Sequence, residues 1–234
     1  MLSIVIPAKN EELRIGNTID KIVQYCSNNE MQFEIIIVID HSDDKTAETA
    51  KAMYSDVKIL VNTEKKGKGT SVKLGMLHAI GDYILFSDAD LSTPIEELDK
   101  FFQYFNESYD IVIGSRKLKD SKVKIPQPLF RKISGDIFAS LRSAIFLPDI
   151  KDTQCGFKCF TKKAAKNIFS KQKIAGFSFD VEILYIAEKL GYKIKELPVV
   201  WINDARSKIK PLNDSFKMLA ELIQIKINSI MGKY

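Results

Sequence analysis

Asp88 and Asp90 stand one residue apart directly after Tyr83-Ile-Leu-Phe86, and Ser92, Thr93 and Pro94 follow them. The four residues before the pair have strand character, and the three after it open a helix. A buried strand would therefore deliver two carboxylates to its carboxyl end, the edge at which open α/β sheets bind ligands. Carboxylates so placed can converge on one divalent cation. Mg²⁺ and Mn²⁺ take such hard oxygen ligands and keep positions open for a diphosphate. The plain alternative is a surface turn with a helix N-cap, where Asp and Ser are common. On these residues alone the two readings stand side by side.

Other polar groups also follow apolar runs. Leu2 to Ile6 leads into Pro7, Ala8, Lys9, Asn10 and Glu11; Phe33 to Ile39 leads into Asp40; Ile111 to Ile113 leads into Ser115 and Arg116. In a parallel sheet all of these share one edge. Carboxylates there can accept hydrogen bonds from a base or a ribose, and a cation held by the aspartate pair can hold a diphosphate. The set suits a nucleotide diphosphate better than a dinucleotide, because no Gly-x-Gly-x-x-Gly follows Ile6. Gly67-Lys-Gly-Thr70 is not a P-loop, since Gly69 follows the lysine and Asn62 stands five residues before Gly67.

The elements that position these groups follow from periodicity. Helices are predicted over about 11–25, 45–53, 95–105, 129–146, 162–169, 179–190 and 215–231, with another carrying Val72 to Ala79. Strands fall at 2–6, 33–39, 57–61, 83–86, 111–113 and 193–199, the first ending at Pro7 because proline cannot continue a central strand. Alternation of β and α through the first half predicts a doubly wound, mostly parallel sheet flanked by helices. With 234 residues, 45% hydrophobic and 28% charged, a single α/β domain over 1–234 is expected.

The net charge of +5 is mild but unevenly placed. Arg116, Lys117, Lys119, Lys122, Lys124, Arg131 and Lys132 face only Asp120 between 116 and 132, and a helix with a broad apolar arc follows from Leu129 to Phe146. Basic flanks on an interfacial helix suit an anionic membrane surface. The alternatives are a solvated loop with a core helix, or a dimer contact. No nucleic-acid motif accompanies the patch. No apolar run approaches the ~20 residues of a membrane span, and the N-terminus enters a strand without a signal peptide. Three cysteines, Cys26, Cys155 and Cys159, fit a reducing cytoplasm and no zinc site. A cytoplasmic protein, peripheral on the cytoplasmic face of a membrane, is expected.

Several stretches then form one pattern: Ile4-Val-Ile-Pro-Ala-Lys-Asn-Glu-Glu12; Asp40 with Ser42, Asp44 and Thr46; Asn62 with Gly67-Lys-Gly69 and Gly75; Asp88-Ala-Asp-Leu-Ser-Thr-Pro94; Gly114-Ser-Arg116; Asp152-Thr-Gln-Cys-Gly-Phe-Lys158; Phe179-Asp-Val-Glu182; and Arg206-Ser-Lys208. In this order and spacing they resemble the GT-A family 2 glycosyltransferases. Within them the likeness is to the dolichyl-phosphate β-glucosyltransferase and dolichol-phosphate mannose synthase branch.

The resemblance implies a GT-A, Rossmann-like fold with a nucleotide-sugar-binding half over 1–116 and an acceptor-side, membrane-facing half over 117–234. It implies that Pro7, Ala8, Asn10, Glu11 and Asp40 line the nucleoside pocket, that Asp88 contacts the nucleotide and shares with Asp90 a Mg²⁺ or Mn²⁺ ion, and that Arg116 and Arg206 contact phosphate with help from Lys208. The chain departs from the family where Ile39 replaces the first of two acids and His41 replaces a glycine.

An inverting metal-dependent hexosyltransferase acting from a nucleotide-sugar donor, UDP-glucose before GDP-mannose, to a polyprenyl or dolichyl phosphate is the reading implied. A lipid phosphate is already ionised and needs no general base. A saccharide or other hydroxyl acceptor, the alternative within the class, needs a carboxylate to take its proton. Asp152 and Asp180 are the candidates for that catalytic role, with a hydrogen-bonded structural carboxylate and a helix cap as their plain readings. A non-catalytic nucleotide-binding module is the alternative of another class.

Overall fold

The computed structural model describes residues 1–64, 67–124, 146–202 and 211–234. Strand β2 (Phe33–Ile39) is almost entirely apolar because both of its faces are covered. It pairs in parallel with β1 (Leu2–Ala8) on one side and β3 (Lys58–Val61) on the other. β4 (Tyr83–Ser87) lies beyond β1, and β5 (Ile111–Ser115) pairs in parallel with β8 (Ile194–Pro198). Between β4 and β5 runs β7 (Phe157–Thr161), antiparallel to both. The seven-stranded order is β3-β2-β1-β4-β7-β5-β8. Two short strands, β6 (Lys122–Val123) and β9 (Val200–Trp201), pair separately.

Helices α1 (Ile15–Asn28), α2 (Thr46–Met53) and α4 (Asp99–Asn106) accompany the first half of the sheet, α4 entered through a 3-10 turn at Ile95–Leu98. Ile15, Ile19 and Ile22 of α1 join Ile4, Ile6, Ile35, Ile37 and Phe101 in one apolar layer. Helices α3 (Lys68–His78), α5 (Lys162–Lys171) and α6 (Phe179–Lys189) form the other layer with Val5, Val38, Phe86 and Phe160. The last helix, α7 (Pro211–Ile230), seats Leu222 and Ile225 in that second layer.

β1 does not stop at Pro7 but runs through it to Ala8, although β1 is central. The Ala8 carbonyl accepts from the Asp40 amide on the β2 side, so the Pro7 nitrogen faces the β4 side. There the pairing has already ended at Val5 and Phe86, and the missing N–H costs no ladder bond. β7 was not foreseen from periodicity. Reversal of this strand places the residues before it, Asp152 to Gly156, at the edge where the parallel strands end. None of the described helices is long and apolar enough to cross a membrane. The helix predicted over 129–146 and most of the basic stretch before it lie outside the described residues.

Candidate active site

Hydrogen bonds join the loops after β1 and β2. The Asn10 amide donates to Ser42 Oγ at 2.9 Å, and the Asp43 amide donates to Asn10 Oδ1 at 2.9 Å. The Glu11 amide donates to Thr46 Oγ1 at 2.8 Å. Asp40, buried at the end of β2, faces His41 Nδ1 at 3.0 Å, Asn62 Nδ2 at 3.3 Å and the Gly67 amide at 3.4 Å. Asn10, His41 and Leu91 all adopt left-handed backbone, at φ 55°, 52° and 45°. Strain of this kind concentrates at ligand sites because the surroundings must enforce it. At His41 a glycine would enter that region without penalty.

Helix α1 brings two groups to the aspartate pair. Thr18 Oγ1 donates to the Ala89 carbonyl at 2.6 Å, and Arg14, ion-paired with Glu11, lies 4.0 Å from Asp90 Oδ2. Asp90 Oδ1 accepts from the Ser92 amide at 2.9 Å. Burial and then the charge of Asp88 raise the proton affinity of Asp90. Asp88 is paired with Lys68 Nζ at 2.7 Å. Burial works against the charge on Lys68, but Asp88, Asp180 and Asp90 together outweigh it and hold its pKa above the usual value.

The loop before β7 packs on Asp88 from the other side. The Asp88 amide donates to the Gly156 carbonyl at 3.1 Å, and a Cβ on Gly156 would sit 1.9 Å from Asp88 Oδ2. Glycine is required there for the carboxylate to lie against the chain. Two residues on, Lys158 is 0% exposed and donates to Asp180 Oδ1 at 2.5 Å and to the Cys155 carbonyl at 2.5 Å. Burial raises the Asp180 pKa, against the opposing pull of Lys158 and Lys68.

Arg116 and Asp152 form a two-pronged pair, Nε to Oδ2 at 2.7 Å and Nη2 to Oδ1 at 2.8 Å, and the Arg116 amide adds 2.9 Å to Oδ2. Such forks are the strongest protein ion pairs. Burial opposes the charge on Asp152, but Arg116 overrides it and holds the carboxyl well below the usual range. Trp201, placed by the β6–β9 pair, stacks over the guanidinium at 5.4 Å.

Asp88 is thus the meeting point of the site: it touches Lys68 and the Gly156 loop, and its charge is felt by Asp90, Asp180 and Arg116. Pro7, Ala8, Asn10, Glu11 and Asp40 lie on the same sheet edge. Arg206 and Lys208 lie outside the described residues. Lys68 and Lys158 are the partners that reading along the chain did not single out. A lysine inside Phe157-Lys-Cys-Phe160 was the available signal, because a charge among apolar neighbours demands a buried counter-charge.

No group of three or more His, Cys, Asp or Glu among the described residues forms a closed metal cage. Burial pushes the Cys155 thiol up to about 11, which makes it a packed thiol rather than a ligand. The aspartate pair nevertheless fits a hard divalent ion. The raised proton affinity of Asp90 marks negative charge short of compensation, and two carboxylate ligands leave room for phosphate and water oxygens.

Residues 3–169 match the profile described as glycosyl transferase family 2. A dolichyl-phosphate beta-glucosyltransferase from Dictyostelium discoideum is 33% identical over 99% of this chain and 75% of its own. The human protein of that name is 30% identical over 100% of this chain and 77% of its own. Among solved structures, glucosyl-3-phosphoglycerate synthase from Mycobacterium tuberculosis with Mn²⁺, UDP-glucose and phosphoglyceric acid superposes with a TM-score of 0.72. It is 18% identical, over 96% of this chain and 79% of its own. That likeness bears on the fold, and the sheet with its carboxylate-bearing edge is a GT-A fold. With a matching profile over most of its length and relatives at this identity, the chain belongs to glycosyl transferase family 2.

Proposed function

We propose that this chain transfers glucose from UDP-glucose to a polyprenyl phosphate of the dolichyl type, with inversion at the sugar C1. The observation that carries the choice of acceptor is the state of Asp152 and Asp180. Each is the candidate base a hydroxyl acceptor would need, and each is held by a cation, Arg116 or Lys158. An acceptor that arrives already ionised needs neither. The names of the relatives support the same acceptor and sugar, and the UDP-glucose in a structural neighbour supports the base.

In this reading Pro7, Ala8, Asn10, Glu11 and Asp40 line the nucleoside pocket. Asp90, with Asp88 beside it, would hold Mg²⁺ or Mn²⁺, as a structural neighbour was solved with Mn²⁺. When bound, the ion supplies counter-charge to the leaving diphosphate. Arg116 and Lys68 supply positive charge where phosphate charge develops, and Arg206 and Lys208 are assigned the same role from the sequence pattern alone. The lipid phosphate oxygen attacks C1 from the face opposite the diphosphate, the bond from C1 to the diphosphate oxygen breaks, and UDP leaves.

The half over 1–116 serves the donor and the half over 117–234 the acceptor, at the cytoplasmic face of a membrane. Leu219, Ile223, Ile227 and Ile230, exposed along α7, support peripheral contact with that surface.

The test presents the purified chain with UDP-glucose or GDP-mannose, dolichyl phosphate in phosphatidylcholine vesicles, and Mn²⁺ or chelator. Glucosyl lipid from UDP-glucose alone, lost with chelator, is expected. Transfer only to water-soluble hydroxyl acceptors would overturn the proposal.

A further inference from the structure

The segment between α5 and α6, residues 172–178, touches three helices at once. From α3, Lys73 Nζ donates to the Gln172 carbonyl at 2.8 Å and the Gly69 amide donates to the Ala175 carbonyl at 2.8 Å. Gln172, buried, returns a bond from Nε2 to the Gly69 carbonyl at 2.9 Å. From α6, Glu182 accepts from the amides of Lys173 at 3.0 Å and Ile174 at 2.8 Å. From α7, Glu221 Oε2 accepts from the amide of Ser178, a fully buried residue, at 2.9 Å, and the Met218 carbonyl accepts from Ser178 Oγ at 3.0 Å.

The fit is close in the middle of this segment, toward α3 and toward α7. A Cβ on Gly67 would lie 2.3 Å from the Ala175 carbonyl oxygen, and one on Gly69 would lie 2.6 Å from that of Ile174. On the α7 side a Cβ on Gly176 would lie 2.0 Å from Glu221 Oε1. Between the two tight glycines stands Lys68, whose amine pairs with Asp88. The path from α7 to the donor edge is therefore continuous: Glu221, Ser178 and Gly176, Ala175, Gly69, Lys68, Asp88.

We propose that Glu221 is a positioning residue for Lys68: α7 fixes the 172–178 segment, and that segment fixes the Gly67–Gly69 turn that aims the lysine at Asp88. Without Glu221 the Ser178 amide is left buried and unpaired, a loss the segment can relieve only by moving. The geometry gives the last helix control over the donor side of the site although it touches no donor-side residue through Glu221. The consequence for donor binding rests on the donor reading above, whereas the mechanical link does not.

Amide hydrogen exchange tests the link without any ligand. Glu221→Ala is expected to raise exchange at Gly69 and across 67–71 as well as at Ser178. Glu221→Gln retains an oxygen that accepts from Ser178 and should restore protection. Gly176→Ala should push the carboxylate aside and reproduce the Glu221→Ala pattern in a chain that keeps Glu221. Because both variants break one contact, the double variant should match Glu221→Ala alone. UDP-glucose with Mn²⁺, titrated into the same proteins, should bind about 5-fold more weakly to Glu221→Ala and Gly176→Ala, and near normally to Glu221→Gln. Increased exchange confined to 176–180, or additive effects of the two substitutions, would overturn the proposal. Failure of the wild type to bind UDP-glucose would count against the donor reading alone, with the exchange data still deciding the link.

Discussion

Asp90 and Asp152 stand on the same edge of one sheet and have opposite electrostatic surroundings. Asp152 is enclosed by the fork of Arg116, the Arg116 amide and the Gln154 amide, and its carboxyl is held far toward the ionised form. Asp90 accepts from the amide and the hydroxyl of Ser92 and has a guanidinium 4.0 Å away, yet burial and then the charge of Asp88 pull it toward the protonated form. A carboxylate whose charge is already matched belongs to the framework. One whose charge is under-matched is the better candidate for a cation, as proposed above for Asp90. The two aspartates therefore separate by environment into roles that residue type alone leaves equal.

The largest effect expected is on turnover. Asp90→Ala should lower glycosyl transfer by about 10²–10³-fold, the scale of losing one fixed charge partner in a reaction that expels a charged group. It should leave the unfolding midpoint close to wild type. Asp152→Ala should show the reverse weighting. Breaking a buried ion pair from one side costs about 3–5 kcal/mol, so a denaturant titration should show it as the less stable variant. Equal stability of the two variants would break the contrast.

A smaller effect is expected from pH. The folded pKa of Asp152 is depressed below its ordinary 3.8, so the unfolded chain takes up the proton first as acid is added. The contribution of this group to stability is complete above that ordinary value and drains away as pH falls toward the depressed one. Replacing Asp152 with Asn should flatten that part of the acid stability curve. Smallest of all, His41→Gly relieves a left-handed residue that costs about 1–2 kcal/mol but adds chain entropy of about 0.5–1 kcal/mol on unfolding. A net change within about 1 kcal/mol in thermal unfolding is expected.

Much of the fold was legible along the chain because it is written in local patterns. The apolar run of β2, broken only by Glu34, matches its span residue for residue, and β4 carries the aspartate pair to its end as periodicity requires. β7 was not legible. Lys158, second of its five residues, masks the strand pattern, and strand direction is a property of pairing rather than of one segment. The pairs Lys68–Asp88, Lys158–Asp180 and Arg116–Asp152 were invisible for a related reason: each joins groups that only the folded chain brings together. Asp90 could be marked as chemistry-bearing from its position, whereas the engagement of Asp152 needed the structure.

Reversal of β7 has a consequence for how such a chain diversifies. The excursion from Arg116 to Gly156 leaves the sheet at the end of β5 and re-enters it at the start of β7, and both points lie on the ligand edge. A change in its length need not shift the register of the seven-stranded sheet. A lineage can therefore rewrite what stands before that edge while the seven strands beneath it are inherited intact.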